Sequence, residues 1–303
     1  MSNDKNIQEK VPCNQKQAEQ KPGERSCINN LKNIRNLPSI PAIIFEVSKL
    51  LDDPMTNASD LAALISRDQG MVTKILTVAN SPFYGLTKKI STIEFAIVIL
   101  GFENIKNIIV ALSMIGALRG TGKNWDRKKY WYHCLAVASI AKRVAEDLGY
   151  SKSGEAFTAG LLHDLGIAIV QLYLNKEYNE IYNLVNLKTI GFLEAEAEVL
   201  NSDHQQVGNF LAEKWNLPQP LSDAILYHHN PGQCSENKFL VSIVHLADFL
   251  SMELDFGKFE WDKDIKLDFS IIDVLGWGSE VYMYEFIESY KETFQNKLEP
   301  IIE

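Results

Sequence analysis

Apolar residues recur every three or four positions along most of this chain, and the two-residue alternation of a half-buried strand is almost absent. That periodicity gives a series of short helices one apolar stripe each, so the fold class is all-α, with helices packed on helices. From Leu31 to Leu118 the punctuation sets the helix limits. Leu37-Pro38-Ser39-Ile40-Pro41 predicts an extended lead-in, because proline resists the helix interior and biases its predecessor away from it. Ile44, Val47, Leu50 and Leu51 then share a face that ends at Asp52-Asp53-Pro54. Ser59 is expected to cap the helix carrying Leu61, Leu64 and Ile65. Met71–Ala79 is predicted helical up to Asn80-Ser81-Pro82. Ser91 is expected to cap Thr92–Leu100, and Gly101 separates that helix from Asn104–Leu118.

The polar, apolar-poor segment 1–30 reads as a flexible leader, since it has too little to bury to offset the entropy of ordering. The glycine-rich stretch Gly120-Thr121-Gly122-Lys123-Asn124 is the best boundary between a helical lobe over 31–119 and a second one over 125–252. Residues 253–303 read as an extension: a charged, irregular stretch to Phe269, then an amphipathic helix over Val281–Leu298. At 303 residues and 46% hydrophobic side chains the chain can bury a substantial core. Its net charge of −9 argues against nucleic-acid and acidic-membrane partners, leaving room only for a local basic patch. No basic stripe interleaved with aromatics is read from the sequence. The cysteines Cys13, Cys27, Cys134 and Cys234 form no CxxC pair, as expected of reduced thiols in a cytoplasmic protein. No secretory apolar region opens the chain, and apolar stretches such as Ile108–Leu118 are too short to span a bilayer.

The chemistry-bearing side chains gather in the second lobe, for residues 1–132 contain no histidine. His133 shares a helical stripe with Val137, Ile140, Val144 and Leu148; an inward histidine there is either a ligand or a core imidazole bonded to backbone. His163-Asp164 ends the apolar run Ala159–Leu162, and Asp164 either binds a cation or caps the next helix. His204 follows Asn201-Ser202-Asp203, where Ser202 and Gln205 have capping-box spacing, and faces inward with Val207, Leu211 and Trp215. His228-His229 closes the helix Leu221–Tyr227, a place that also suits a plain imidazolium. Asp248 sits among Leu240, Val241 and Val244 and needs a counter-charge. His245, three residues before it, is either its partner or a rival ligand. Imidazole and carboxylate suit Fe, Mn or Zn, and these side chains are too many for one ion, so two divalent metals are expected.

The order of these motifs on consecutive helices resembles the HD superfamily of metal-dependent phosphohydrolases, and Gly160-Leu161-Leu162-His163-Asp164-Leu165-Gly166 is close to its signature. The N-terminal half narrows the resemblance to the HDOD family through Leu37–Pro41, Ile65-Ser66-Arg67-Asp68, Lys74–Ser81, Ser91–Ile97 and Leu100-Gly101-Phe102. It runs from about Asn30 to Met252. It implies a helical N-terminal lobe packed on an HD-type helical domain, and a bacterial protein. Many HDOD proteins have lost the metal ligands and act as signalling outputs or scaffolds. Here the ligand positions of the related HD-GYP phosphodiesterases are all filled, by His133, His163, Asp164, His204, His228, His229 and Asp248.

Two departures bear on activity. Ile167 stands where HDxGK would place its lysine, and an isoleucine cannot hold a phosphate. His228-His229 runs into Asn230-Pro231-Gly232-Gln233 rather than HHE…GYP. The resemblance therefore implies a bacterial signal-transduction module with a retained di-metal site, acting through protein partners or a nucleotide or cyclic dinucleotide ligand. The alternative is a metal-dependent phosphohydrolase with His163 and Asp164 as its catalytic pair. In it Asp164 would bridge two ions, one completed by His133, His163 and Asp248 and the other by His204, His228 and His229. Lys142, Arg143 and Lys176 would be its candidate phosphate contacts.

Overall fold

A computed structural model describes residues 27–32, 37, 41–51, 53–80, 89–117, 124–188 and 190–295. Helices α1 (Cys27–Lys32), α2 (Ala42–Leu51), α3 (Ala58–Ile65), α4 (Gln69–Ala79), α5 (Ile93–Leu100) and α6 (Phe102–Ala117) come first. The second half holds α7 (Arg127–Asp147), α8 (Ser153–Leu162), α9 (Leu165–Tyr173), α10 (Asn175–Lys188), α11 (Phe192–Leu200) and α12 (His204–Lys214). It continues with α13 (Gln219–Tyr227), α14 (Lys238–Glu253), α15 (Ile271–Val274) and α16 (Glu280–Gln295). No strand occurs among the described residues, and the all-α expectation holds. Residues 1–26, Pro38–Ile40, Asp52, Ser81-Pro82, Gly120–Lys123 and the last three positions of the expected final helix lie outside the described residues, as does Cys13.

One continuous apolar core runs through both halves of the chain, with α6 packed on α8 and α2 on α6. The paired apolar helices α8 and α9 together satisfy the length and hydropathy of a membrane span over Ser153–Tyr173, longer than the sequence reading allowed. With 89% of that window buried in the fold, the run is central core. The expected leader is shorter than read, because Cys27 and Leu31 on α1 are buried against the core.

Three caps fall on neighbours of the residues expected. Asn57 Oδ1 accepts from the Ser59 and Asp60 amides while Asp60 reaches back to the Asn57 amide, so Ser59 lies inside the first turn. Thr92 caps α5 by accepting from the Phe95 amide. Asp203 caps α12 through the Gln206 amide, and the Ser202 hydroxyl instead donates to the Gln206 side chain. In each case the capping oxygen belongs to the last residue still in extended backbone, which is what lets it reach amides two or three positions on.

Candidate metal centre

Six helices deliver the site. His133 projects from mid-α7, His163 and Asp164 occupy the break between α8 and α9, and His204 opens α12. His228 and His229 follow α13, and Asp248 lies on α14. Pairwise packing of α7 with α8 and α14, of α9 with α12, and of α13 with α8 and α12 closes them around one point. A backbone contact fixes that convergence: a Cβ on Gly166 would stand 1.8 Å from the His204 carbonyl oxygen, and Gly208 faces Gly166 across the same gap. Only glycine lets α9 lie this close to the first turn of α12, which sets Asp164 beside His204.

The ring nitrogens sort into two roles. Nδ1 of His133 donates to the Gly257 carbonyl at 2.9 Å, of His163 to Gly160 at 2.7 Å, and of His228 to Ile225 at 2.9 Å. Nδ1 of His204 lies 2.9 Å from Glu196 Oε2, which also accepts from the His204 amide. A carbonyl or carboxylate oxygen can only accept, so each Nδ1 carries the proton. Each Nε2 lone pair is thereby turned inward, where His133 and His163 meet at 3.3 Å, His204 and His228 at 3.3 Å, and His229 and His204 at 3.2 Å. Lone pairs that face one another repel unless a cation or a proton lies between them.

Asp164 divides this set. Its Oδ2 is 3.3 Å from Nε2 of both His133 and His163, and its Oδ1 is 3.5 Å from Nε2 of both His204 and His228. Asp248 Oδ1 completes the first group, 3.6 Å from His133 and 3.9 Å from His163. The structure thus gathers His133, His163 and Asp248 at one centre and Asp164, His204, His228 and His229 at another. Asp164 makes no capping bond to α9. All four oxygens of Asp164 and Asp248 are buried without a hydrogen bond, a costly arrangement for carboxylates unless a cation compensates. Metal–ligand bonds of about 2.1 Å in a tetrahedron would hold ligand atoms ~3.4 Å apart, close to the spacing within each group. The donor set and its spacing fit divalent-metal binding, with Asp164 standing between the two candidate groups.

Burial works against the Asp164 carboxylate, yet His163 and the other imidazoles hold it well below its ordinary range. Burial lifts Asp248 instead. Burial pushes His228 down to about 4 and His229 well below its usual value, both states that leave a lone pair for a cation. For His204 burial also acts downward, but Glu196 outweighs it and raises the imidazole to about 9.

His245 is not a ligand. Its Nδ1 donates to the His228 carbonyl at 2.6 Å and its Nε2 accepts from the Asp268 amide at 2.8 Å, so it anchors the turn that carries His228. Lys142 and Arg143 pair with Glu146 and Asp147 one turn along α7, and Lys176 is exposed.

Several supports escaped the sequence reading. Glu196, fully buried on α11, orients His204 and takes a hydrogen bond from the Trp261 indole. Gly257, at φ +79°, turns its carbonyl onto His133, and Phe259 stacks on the same ring at 5.8 Å. All but Glu196 come from the segment read as an irregular extension. Glu196 is one of three alternating glutamates on α11, with Glu194 and Glu198 exposed, so its sequence carried no distinguishing signal; a backbone carbonyl leaves none.

A helical fold that buries two His/Asp groups around a shared carboxylate is of the HD type. The HDOD domain profile matches residues 37–231, and this chain belongs to the HDOD family. An HDOD domain protein of unknown function from Geobacter sulfurreducens is 30% identical, with TM-score 0.68 over 83% of this chain and 85% of that one. A candidate phosphohydrolase from Shewanella amazonensis SB2B shares the fold at 24% identity and TM-score 0.62, over 74% and 80% of the two chains. An uncharacterised protein of Treponema pallidum (strain Nichols) is 29% identical over 233 residues, 73% of this chain; the match spans 43% of that longer relative.

Proposed function

We propose that this protein is a bacterial cytoplasmic regulatory module that acts through protein partners or a bound ligand and retains a di-metal centre that holds its second lobe in shape. The observation that carries this reading is enclosure. Each ligand group, counting one oxygen of Asp164, offers four protein atoms, and every candidate ligand except His229 is fully buried. Structural zinc sites are closed by four protein ligands in this way, whereas catalytic ones keep a position open. Ile167, fully buried on α9, supplies no charge to hold a phosphate. The three described cysteines are free thiols, in keeping with a reducing compartment.

One observation favours the hydrolase alternative: His229 reaches the surface, so the second group has an edge that a substrate could approach. Bound ions would supply Lewis acidity to a phosphoryl oxygen there. Metal content per chain, measured on protein purified without chelators beside the His163→Ala/Asp164→Ala double variant, separates the readings when paired with a phosphoester screen. We expect about two ions in the wild type, few in the variant, and no turnover of phosphodiesters, nucleotides or cyclic dinucleotides. Metal-dependent turnover that the double variant abolishes would overturn the regulatory reading in favour of the enzyme. A folded wild type without metal would leave the module but remove its di-metal centre.

A further inference from the structure

A second concave site lies at the leading end of α7, separated from the metal centre by the wall Phe259-Glu260-Trp261. It is a cavity of about 470 Å³, within the size range of small-ligand pockets. Trp125, Tyr178, Tyr182, Phe259 and Trp261 line it with rings, and Arg127, Lys128 and Lys129 stand exposed around it. These three cations are the only run of three basic residues in a chain of net charge −9.

The carboxylates of the cavity are already engaged. Asp126 Oδ1 caps α7, accepting from the Lys128 and Lys129 amides at 3.0 Å each, and Glu260 accepts from the Tyr182 hydroxyl at 2.5 Å. Hydrogen bonds to neutral donors leave both carboxylates charged, so three cations stand against two anions around the cavity. The aromatic wall is rigid: Tyr178 stacks on Trp261 at 4.8 Å, and its hydroxyl donates to the Asn124 carbonyl. The Trp125 indole N–H is shielded from solvent and has no hydrogen-bond partner.

Rings and a cationic rim together select a planar heteroaromatic group bearing an anion. We propose that this cleft binds a mononucleotide, its base against the aromatic wall and its phosphate at Arg127–Lys129. A long nucleic acid is disfavoured by the overall negative charge, which opposes a chain of phosphates. Phosphate alone would leave the rings unused. The wall also touches both ligand groups, through Phe259 stacked on His133 and through Trp261 bonded to Glu196, which holds His204. As an input site for the module, the cleft rests on the regulatory reading; as a binding site it does not depend on it.

The test is calorimetric titration of the full chain with AMP and GMP, with adenosine and inorganic phosphate as half-ligands. One-to-one binding of a mononucleotide is expected, with each half-ligand weaker by about tenfold or more. Arg127→Glu/Lys129→Glu, both exposed and away from the core, should weaken binding at least ~10-fold with unchanged helicity and melting. Trp125→Ala should weaken it as well. No binding of either nucleotide up to ~1 mM would overturn the proposal. So would binding that survives charge reversal undiminished, since that ligand would lie elsewhere, the metal centre included. Metal content is measured separately, so either idea can fail alone.

Discussion

Asp164 joins the two ligand groups because its oxygens point to different pairs of histidines. Its placement depends on Gly166, two residues on. Gly166→Ala would drive a Cβ into the His204 carbonyl, a backbone atom that cannot rotate away. We expect a loss of roughly 1–3 kcal/mol or more, the scale of overpacking, in urea denaturation, together with lower metal content. His204 makes a separate prediction. With Glu196 raising its pKa to about 9, the metal-free imidazole carries a proton at neutral pH, which an incoming cation must displace. As pH falls below that value the protonated form gains, so metal affinity should drop and protons should be released on binding. Titration in buffers of different protonation enthalpy measures the release. Glu196→Gln, which removes the raising charge, should reduce it; unchanged release would point to another proton source.

The segment between α14 and α15 is the element whose importance the sequence concealed. It brings the Gly257 carbonyl and Phe259 to His133, Trp261 to Glu196, and the Asp268 amide to His245. Outer partners of this kind orient ligands, and losing them commonly weakens metal binding by ~10–100-fold. A chain ending at Met252 should therefore melt lower than the full chain and bind metal more weakly, as chelator competition would measure. Equal affinity in the two would mean that these contacts do not hold the ligands. The charged composition of 253–269 suggested an excursion, but Phe256, Phe259 and Trp261 turn inward and are buried. Three isolated aromatics in a charged stretch carry no period from which such docking could be read.

At the scale of the whole molecule, α7, α8, α12, α13 and α14 meet at the ligand groups, so bound ions would brace the second lobe. A ligand that binds only the folded state stabilises it by RT ln(1 + [L]/Kd), about 4 kcal/mol per ion at a thousandfold excess over Kd. Chelation should accordingly lower Tm, and readdition of metal should restore it. A melting temperature indifferent to chelator would argue against occupied sites in the purified protein. Because α6 packs on α8, the effect should extend to the N-terminal lobe as one cooperative transition.

The sequence by itself determined the helical class, the positions of most helices, and the polar groups placed on apolar stripes, among which the family resemblance rather than the pattern selected the seven candidate ligands. Each of these rests on local information: a 3.6-residue period, or a polar group on an apolar stripe. Capping was only partly legible, because Ser59, Asn57 and their like are chemically equivalent and backbone conformation alone selects among them. His245 and Asp248 were equally ambiguous, since one helix face places both inward and only the neighbouring elements decide what each meets. Tertiary structure settled that His245 anchors a turn and that Asp164 is free of capping. It also supplied Glu196, Gly257, Phe259 and Trp261, and built the cleft at α7 from rings distant in sequence. Those features depend on how closely helices approach and where carbonyls point, quantities fixed by packing between segments and not by any one of them.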